Sequence, residues 1–150
     1  MSLLADVNCT DFKMVYPVLE PSSIKTWILF FHENDRETAL NFNSILVKVS
    51  TSLGIVLSNP IPVKIPHSNF LNIHEILKEK IKSFSPDIVV TLLPEHLQQR
   101  ENERIYRNLK RVTCLESAVA HQNVKVSSIR PESRTLTSVC TKILMQVRLS

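Results

Sequence analysis

The run Asp87-Ile88-Val89-Val90-Thr91-Leu92-Leu93-Pro94 sets an almost wholly apolar segment of strand length between a carboxylate and a proline. A half-buried strand alternates apolar and polar residues. A continuous apolar run instead implies burial on both faces, the habit of a strand inside a parallel sheet. Pro94, which has no N–H for a ladder, ends it. Upstream, Trp27-Ile28-Leu29-Phe30-Phe31 has the same character and stops at His32-Glu33-Asn34-Asp35. Ile61–Ile65 is a third candidate strand, confined by Pro60, Pro62 and Pro66 to modest length or a sheet edge.

Helical spacing fills the intervals. Phe42, Ile45, Leu46, Val49 and Leu53 repeat with a helical period, and Gly54 stands where a C-terminal cap belongs. Ile73, Ile76, Leu77, Ile81 and Phe84 mark a second helix, stopped by Ser85-Pro86. A charged helix with Ile105, Leu109 and Val112 facing inward follows Pro94, then a fourth strand is expected at Leu115–Ala120. A last helix is expected from about Ser133, with Leu136, Val139, Ile143 and Val147 on its core face. Strand and helix thus alternate four times. The expected fold is an α/β Rossmann-like sandwich, a roughly four-stranded, mainly parallel sheet with helices on both faces. Residues 1–25, punctuated by Pro17 and Pro21, read as a linker or N-terminal arm, leaving 26–150 as the domain.

Composition bounds the chemistry. The chain has 150 residues, 43% hydrophobic and 21% charged, as expected of a globular domain. No run approaches the roughly 18 apolar residues of a membrane span, so no membrane partner is expected. Met1–Ala5 is too short an apolar stretch, and lacks the basic flank, for a signal peptide. Cys9, Cys114 and Cys140 show no metal spacing and suggest neither structural zinc nor a disulfide framework. A reducing, intracellular setting is expected.

There is one glycine in the whole chain, Gly54. Phosphate-binding loops of the P-loop or dinucleotide type need several, so that backbone N–H groups can close on the anion. If this domain holds a phosphate, side chains must do it. The charge distribution says where. Residues 1–94 carry 8 Lys and Arg against 9 Asp and Glu, whereas residues 95–150 carry 10 against 5. The positive excess lies wholly in the last third, where an anionic partner would be drawn.

Three clusters there lie near the expected carboxyl ends of the strands, the usual ligand edge of such sheets. Tyr106 and Lys110 are four apart on one helix face, an aromatic ring and an ammonium one turn away. A ring can stack on a base while the amine pairs with phosphate. The plain alternative is a Tyr at the core margin beside a solvated Lys. His121-Gln122-Asn123-Val124 is expected just after the fourth strand and can offer an amide and backbone N–H groups to an anion, or serve as a helix cap. Thr135, Ser138, Lys142 and Gln146 share a polar face of the last helix, where Lys142 reaches an anion or is solvated.

From about Trp27 to Ser150 the chain resembles the MID domain of Argonaute and Piwi proteins. The resemblance rests on Asp87–Pro94, on Ile105-Tyr106 with Lys110-Arg111-Val112, on Gln122, and on Thr135 through Ile143. The family spaces its Tyr and Gln sixteen residues apart, as Tyr106 and Gln122 are. The resemblance implies a module that anchors the 5′ phosphate of a small single-stranded guide RNA. Tyr106 would then stack on the 5′ base. Lys110, Gln122 and Lys142 would bind the phosphate, with the backbone N–H of Asn123 contributing.

Two departures stand out. Many Argonautes carry a second Lys where this chain has Gln146, and the pattern from Thr141 to Gln146 is nearer the Piwi clade. In some Piwi relatives a divalent ion bridges the phosphate and the protein's own C-terminal carboxylate. Gln146 could belong to such a Mg²⁺-linked arrangement in the full-length protein, or Arg148 could replace the missing charge. The segment between Pro94 and Tyr106, which reads the base in the family, is longer and highly charged, so the base preference is not inherited. The family's cleavage chemistry needs metal-binding carboxylates in a PIWI domain, which would follow Ser150. The chain is therefore expected to bind and not to cleave. Two other readings compete: a MID-fold protein-interaction domain without RNA binding, and a small Rossmann-like enzyme acting on a phosphorylated metabolite.

Overall fold

The structure is a computed structural model and describes residues 22–66 and 72–149. Six strands are present among these residues: β1 (Ser22–Ile24), β2 (Trp27–His32), β3 (Ile55–Leu57), β4 (Ile61–Ile65), β5 (Ile88–Leu93) and β6 (Ala120–Lys125). Four α-helices intervene: α1 (Arg36–Ser52), α2 (Ile73–Phe84), α3 (Gln99–Lys110) and α4 (Leu136–Leu149). The main sheet has the order β4-β2-β5-β6 with every pair parallel, and β1 pairs with β3 in a separate parallel ribbon.

The continuous apolar strands do what their composition requires. All six residues of β2 and all six of β5 are buried. Their side chains divide by parity between two cores. Trp27, Leu29, Phe31, Ile88, Val90 and Leu92 pack with Phe42 and Leu46 of α1 and Cys140 and Ile143 of α4. Ile28, Phe30, Val89 and Leu93 pack with Leu77 of α2 and Ile105 and Leu109 of α3. Helices thus cover both faces of a four-stranded parallel sheet, the expected α/β Rossmann-like sandwich. Pro62 sits in β4, which is an edge strand, as its prolines require.

Local signals end the elements where they should. Leu53 closes α1 and Gly54 follows at φ +73°, a left-handed turn that costs a glycine nothing. Ser85 adopts φ 47° after α2, and Pro86 forbids continuation. At the start of α3 the Gln98 N–H donates to Glu101 Oε1 at 2.9 Å, half of a capping box. Asp87, the carboxylate before β5, accepts from the Lys25 and Thr26 N–H groups at 2.9 and 3.3 Å and fixes the entry to β2.

Three features depart from what the sequence implies. Residues 1–21 of the expected arm lie outside the described residues, and Ser22–Ile24 at its end forms a strand. Its partner β3 was not anticipated, because three residues carry no readable period. The fourth main strand is Ala120–Lys125 and not Leu115–Ala120, since Arg111–Glu116 continues α3 as a π-helical segment. Finally, Cys114 is disulfide-bonded, which chain spacing alone does not reveal. The last helix begins at Leu136, after a turn in which the Ser133 and Thr135 hydroxyls donate to Ser128 O at 3.1 and 2.7 Å.

Candidate nucleotide-binding site

The strands β5 and β6 run in register from Ile88 opposite Ala120 to Leu93 opposite Lys125. Beyond their carboxyl ends lies a cleft of about 650 Å³, walled by α3 through Asn102, Glu103, Tyr106 and Arg107 and by β6 through Asn123 and Lys125. Leu93 and Leu97 supply apolar floor. This is the position that the parallel topology reserves for ligands.

Tyr106 is half-buried on α3, and Lys110 follows one turn later with its Nζ 5.7 Å from the Tyr106 ring centroid. That geometry is a cation–aromatic contact. The Lys110 ammonium also donates to His121 O at 3.0 Å. β6 is the edge strand, so its outer carbonyls have no strand to pair with, and a lysine from the neighbouring helix takes one of them. The π-helical turn after Lys110 is closed by the Thr113 hydroxyl donating to Leu109 O at 2.9 Å and by the Val119 N–H donating to Thr113 O at 2.7 Å.

His121 is fully buried, its Nε2 3.1 Å from Thr91 Oγ1. Burial first, and the Lys110 charge second, push its pKa well below the ordinary histidine value. The ring is neutral in the folded chain, and linkage gives the sign. The unfolded chain binds a proton below about pH 6.5 and the folded chain does not. Stability is therefore full above that pH and falls as pH drops below it, by up to about 1.4 kcal/mol per unit. The half-buried His74, whose pKa burial also lowers, contributes with the same sign. Urea midpoints at pH 7.5 and 5 should differ accordingly, and His121→Gln should flatten the difference.

Gln122 faces the opposite side of β6 from His121. It is 6% exposed, in register with Val90, and its Nε2 donates to Gln146 Oε1 on α4. Asn123 returns to the α3 side. Both atoms of its amide are buried without a hydrogen-bond partner, and the residue lines the cleft. Lys142 is exposed on α4.

Of the six residues singled out from sequence, the structure brings Tyr106 and Asn123 into the cleft. Lys110 adjoins it through Tyr106 and His121. Gln122 and Gln146 form a separate pair on the other face, and Lys142 does not line the cleft. Gln122 lies within β6 and not after it, so it presents a side chain across the sheet and does not cap a helix. Arg107 and Lys125, both cationic and both in the cleft wall, escaped the sequence reading. Lys125 would have been found had β6 been placed correctly, because it is the last residue of that strand. The loop entering α3 is tied to the loop after β6 by Arg130 Nε on Glu95 Oε1 at 2.7 Å, a pair that holds the Glu95 carboxyl below its usual pKa.

The residues present do not fit a protein-held Mg²⁺. Gln122 and Gln146 offer neutral amide oxygens, weak ligands for a cation that prefers carboxylates, and one already accepts a hydrogen bond. Among the described residues no group of three His, Cys, Asp or Glu is placed to hold a metal. Nor, among them, is any helix long and apolar enough to cross a membrane.

No family model matches the chain. It is 25% identical over 132 residues to the Piwi-like protein Ago3 of Bombyx mori, a match covering 88% of this chain and 14% of that protein. The chain thus spans about one seventh of its curated relative's length. Among solved structures it is similar to Drosophila Piwi, with a TM-score of 0.72 at 15% identity over 95% of this chain and 20% of that one. It is similar to the MID domain of Arabidopsis thaliana AGO5 at TM-score 0.61 and 16% identity, covering 89% of this chain and 94% of the other. The Neurospora crassa QDE-2 AGO MID domain gives 0.54 and 17%, over 84% and 97%. The chain is a Rossmann-like α/β domain with its cleft at the carboxyl edge of a parallel sheet. Its fold is that of the Argonaute and Piwi MID domain.

Proposed function

We propose that this chain is a binding module for the 5′-monophosphorylated end of a small single-stranded guide RNA, acting beside a PIWI domain in a longer Argonaute or Piwi protein. The observation that carries the reading is the Tyr106–Lys110 pair, ring and ammonium 5.7 Å apart, with the Tyr106 ring lining the strand-end cleft. A base stacked on Tyr106 places its 5′ phosphate within reach of cations on the same wall. Arg107 lines that wall and Lys110 adjoins it one turn on, while Lys125 faces them from β6. The Asn123 backbone N–H belongs to the same proposed set. Gln122 and Gln146 support the cleft from the far face of β6, and Lys142 adds charge at longer range.

The role is binding. Among the described residues the cleft has no paired carboxylates and no activated nucleophile, and strand cleavage would fall to the PIWI domain. Mg²⁺ at the phosphate, if the parent protein uses it, would draw its anionic ligands from outside this chain. Where the parent acts in the cell, cytoplasm, nucleus or RNA granule, follows from that assembly.

The test is a titration of UMP, AMP, CMP and GMP against the matching nucleosides. Phosphate-dependent binding is expected, and equal affinity with and without phosphate sinks the reading. Tyr106→Ala should weaken every mononucleotide by about 1–3 kcal/mol through lost stacking, while leaving the ratio of nucleotide to nucleoside affinity in place. A second reading, a MID-fold interaction domain without RNA, is favoured by one observation. The Gln122 amide is engaged by Gln146 and turned from the cleft. The same titration separates the two.

A further inference from the structure

A second concavity lies at the opposite edge of the sheet. It has a volume of about 320 Å³ and is formed between the first two turns of α1 and the strands β2 and β4. Arg36, Ala39, Leu40 and Asn43 fall at helical spacing on one face of α1 and make one wall. Phe31 and Lys64 are register partners in β2 and β4, and with Pro62 they make the other. Leu40, at the rim of the groove, is 56% exposed.

The charge is one-sided. Arg36 and Lys64 line the groove, no carboxylate does, and among the described residues neither cation is in an ion pair. On the α1 wall, Asn43 Oδ1 is buried with no donor. A phosphate, carrying only acceptors, leaves that oxygen unsatisfied, whereas a peptide N–H pairs with it. Nor does the groove suit a nucleobase. Among the described residues Phe31 is its sole aromatic, 7% exposed, and the remaining apolar lining is aliphatic or proline.

We infer that this groove between α1 and β4 binds an acidic peptide segment of a partner protein, which buries one bulky apolar side chain against Leu40 and Pro62 and sets carboxylates on Arg36 and Lys64. The volume suits a single large side chain with its flanking backbone, a helix-and-strand cleft of the kind that anchors short motifs. The sheet order β4-β2-β5-β6 puts this edge two strands away from the nucleotide cleft. Occupancy of one therefore leaves the other open, and the inference does not rest on the RNA reading.

The experiment is amide-shift NMR on the whole 150-residue chain. It is titrated to millimolar levels with three blocked tripeptides, Asp-Trp-Asp, Lys-Trp-Lys and Asp-Ala-Asp, and separately with UMP. Asp-Trp-Asp is expected to shift the amides of Ala39, Leu40 and Lys64. It should bind about tenfold more tightly than either other peptide. Lys64→Glu and Arg36→Glu should each weaken it roughly three- to tenfold and improve Lys-Trp-Lys. Both residues are exposed, so the fold should tolerate the change. Leu40→Asp should abolish the tryptophan preference. Equal binding of the acidic and basic peptides overturns the inference, as does silence of these amides. Movement of the same amides by UMP would make the groove a nucleotide site and overturn it too. Self-association that shifts them as the chain is concentrated would do likewise, with a second copy as the occupant.

Discussion

Lys110→Ala is expected to weaken UMP binding by about 1.5–3 kcal/mol, roughly 10- to 150-fold, while leaving uridine binding nearly unchanged. The expectation follows from where the lysine stands. Its ammonium is held over the Tyr106 ring and on His121 O at 3.0 Å, so much of its rotamer freedom is already spent before a ligand arrives. A pre-placed cation returns more of its hydrogen-bond energy to an anion than a solvated one does. The substitution also removes the charge that helps keep His121 neutral, so the histidine should titrate closer to its ordinary range. Calorimetric titration at two salt concentrations checks the first claim, because loss of a phosphate contact should reduce the salt dependence as well as the affinity. Lys110→Arg keeps the charge but not the point-like ammonium on the carbonyl, and should recover only part of the loss. If Lys110→Ala leaves both affinity and salt dependence intact, the phosphate does not sit beside Lys110.

Trp27→Ala should destabilise the fold by about 3–5 kcal/mol, a large share of the 5–15 kcal/mol typical of a domain. Trp27 opens β2, is fully buried, and packs against the α1 and α4 core. Its indole N–H donates to Ser58 O at 2.7 Å and so pins the β3–β4 connection to the sheet. Trp27→Phe retains most of the apolar volume but orphans that carbonyl, and should cost about 1–2 kcal/mol. The two variants together divide packing from hydrogen bonding. Urea denaturation followed by circular dichroism gives both numbers, with an unchanged slope indicating the same folded state.

What could be read from residues alone tracks how strongly burial constrains composition. β2 and β5 are central strands buried on both faces, and only apolar residues satisfy that. β4 announced its edge position through Pro60, Pro62 and Pro66. β6 was misplaced because Ala-His-Gln-Asn-Val-Lys has no strand-like pattern. His121 and Gln122 are tolerated there through particular partners, Thr91 and Gln146, that no local rule foresees. The π-helical turn at Arg111–Glu116 compounded the error by occupying the residues assigned to a strand. The Tyr106–Lys110 pair was legible because helix spacing alone places it. Arg107 and Lys125 were not, since their significance depends on where β6 ends.

The lysine on the outer carbonyl of β6 has a consequence separate from any ligand. An open parallel sheet has two raw edges, each able to recruit a strand from another molecule. Here Pro62 in β4 brings no N–H to one margin, and Lys110 occupies His121 O at the other. Each edge of the sheet thus lacks one of the free backbone groups an incoming strand would use, through a missing donor at one and a borrowed donor at the other. A side chain proposed to greet an RNA end also caps a backbone acceptor of that edge strand. Variants at Lys110 should accordingly be watched for slow fibrillar assembly as well as for lost affinity.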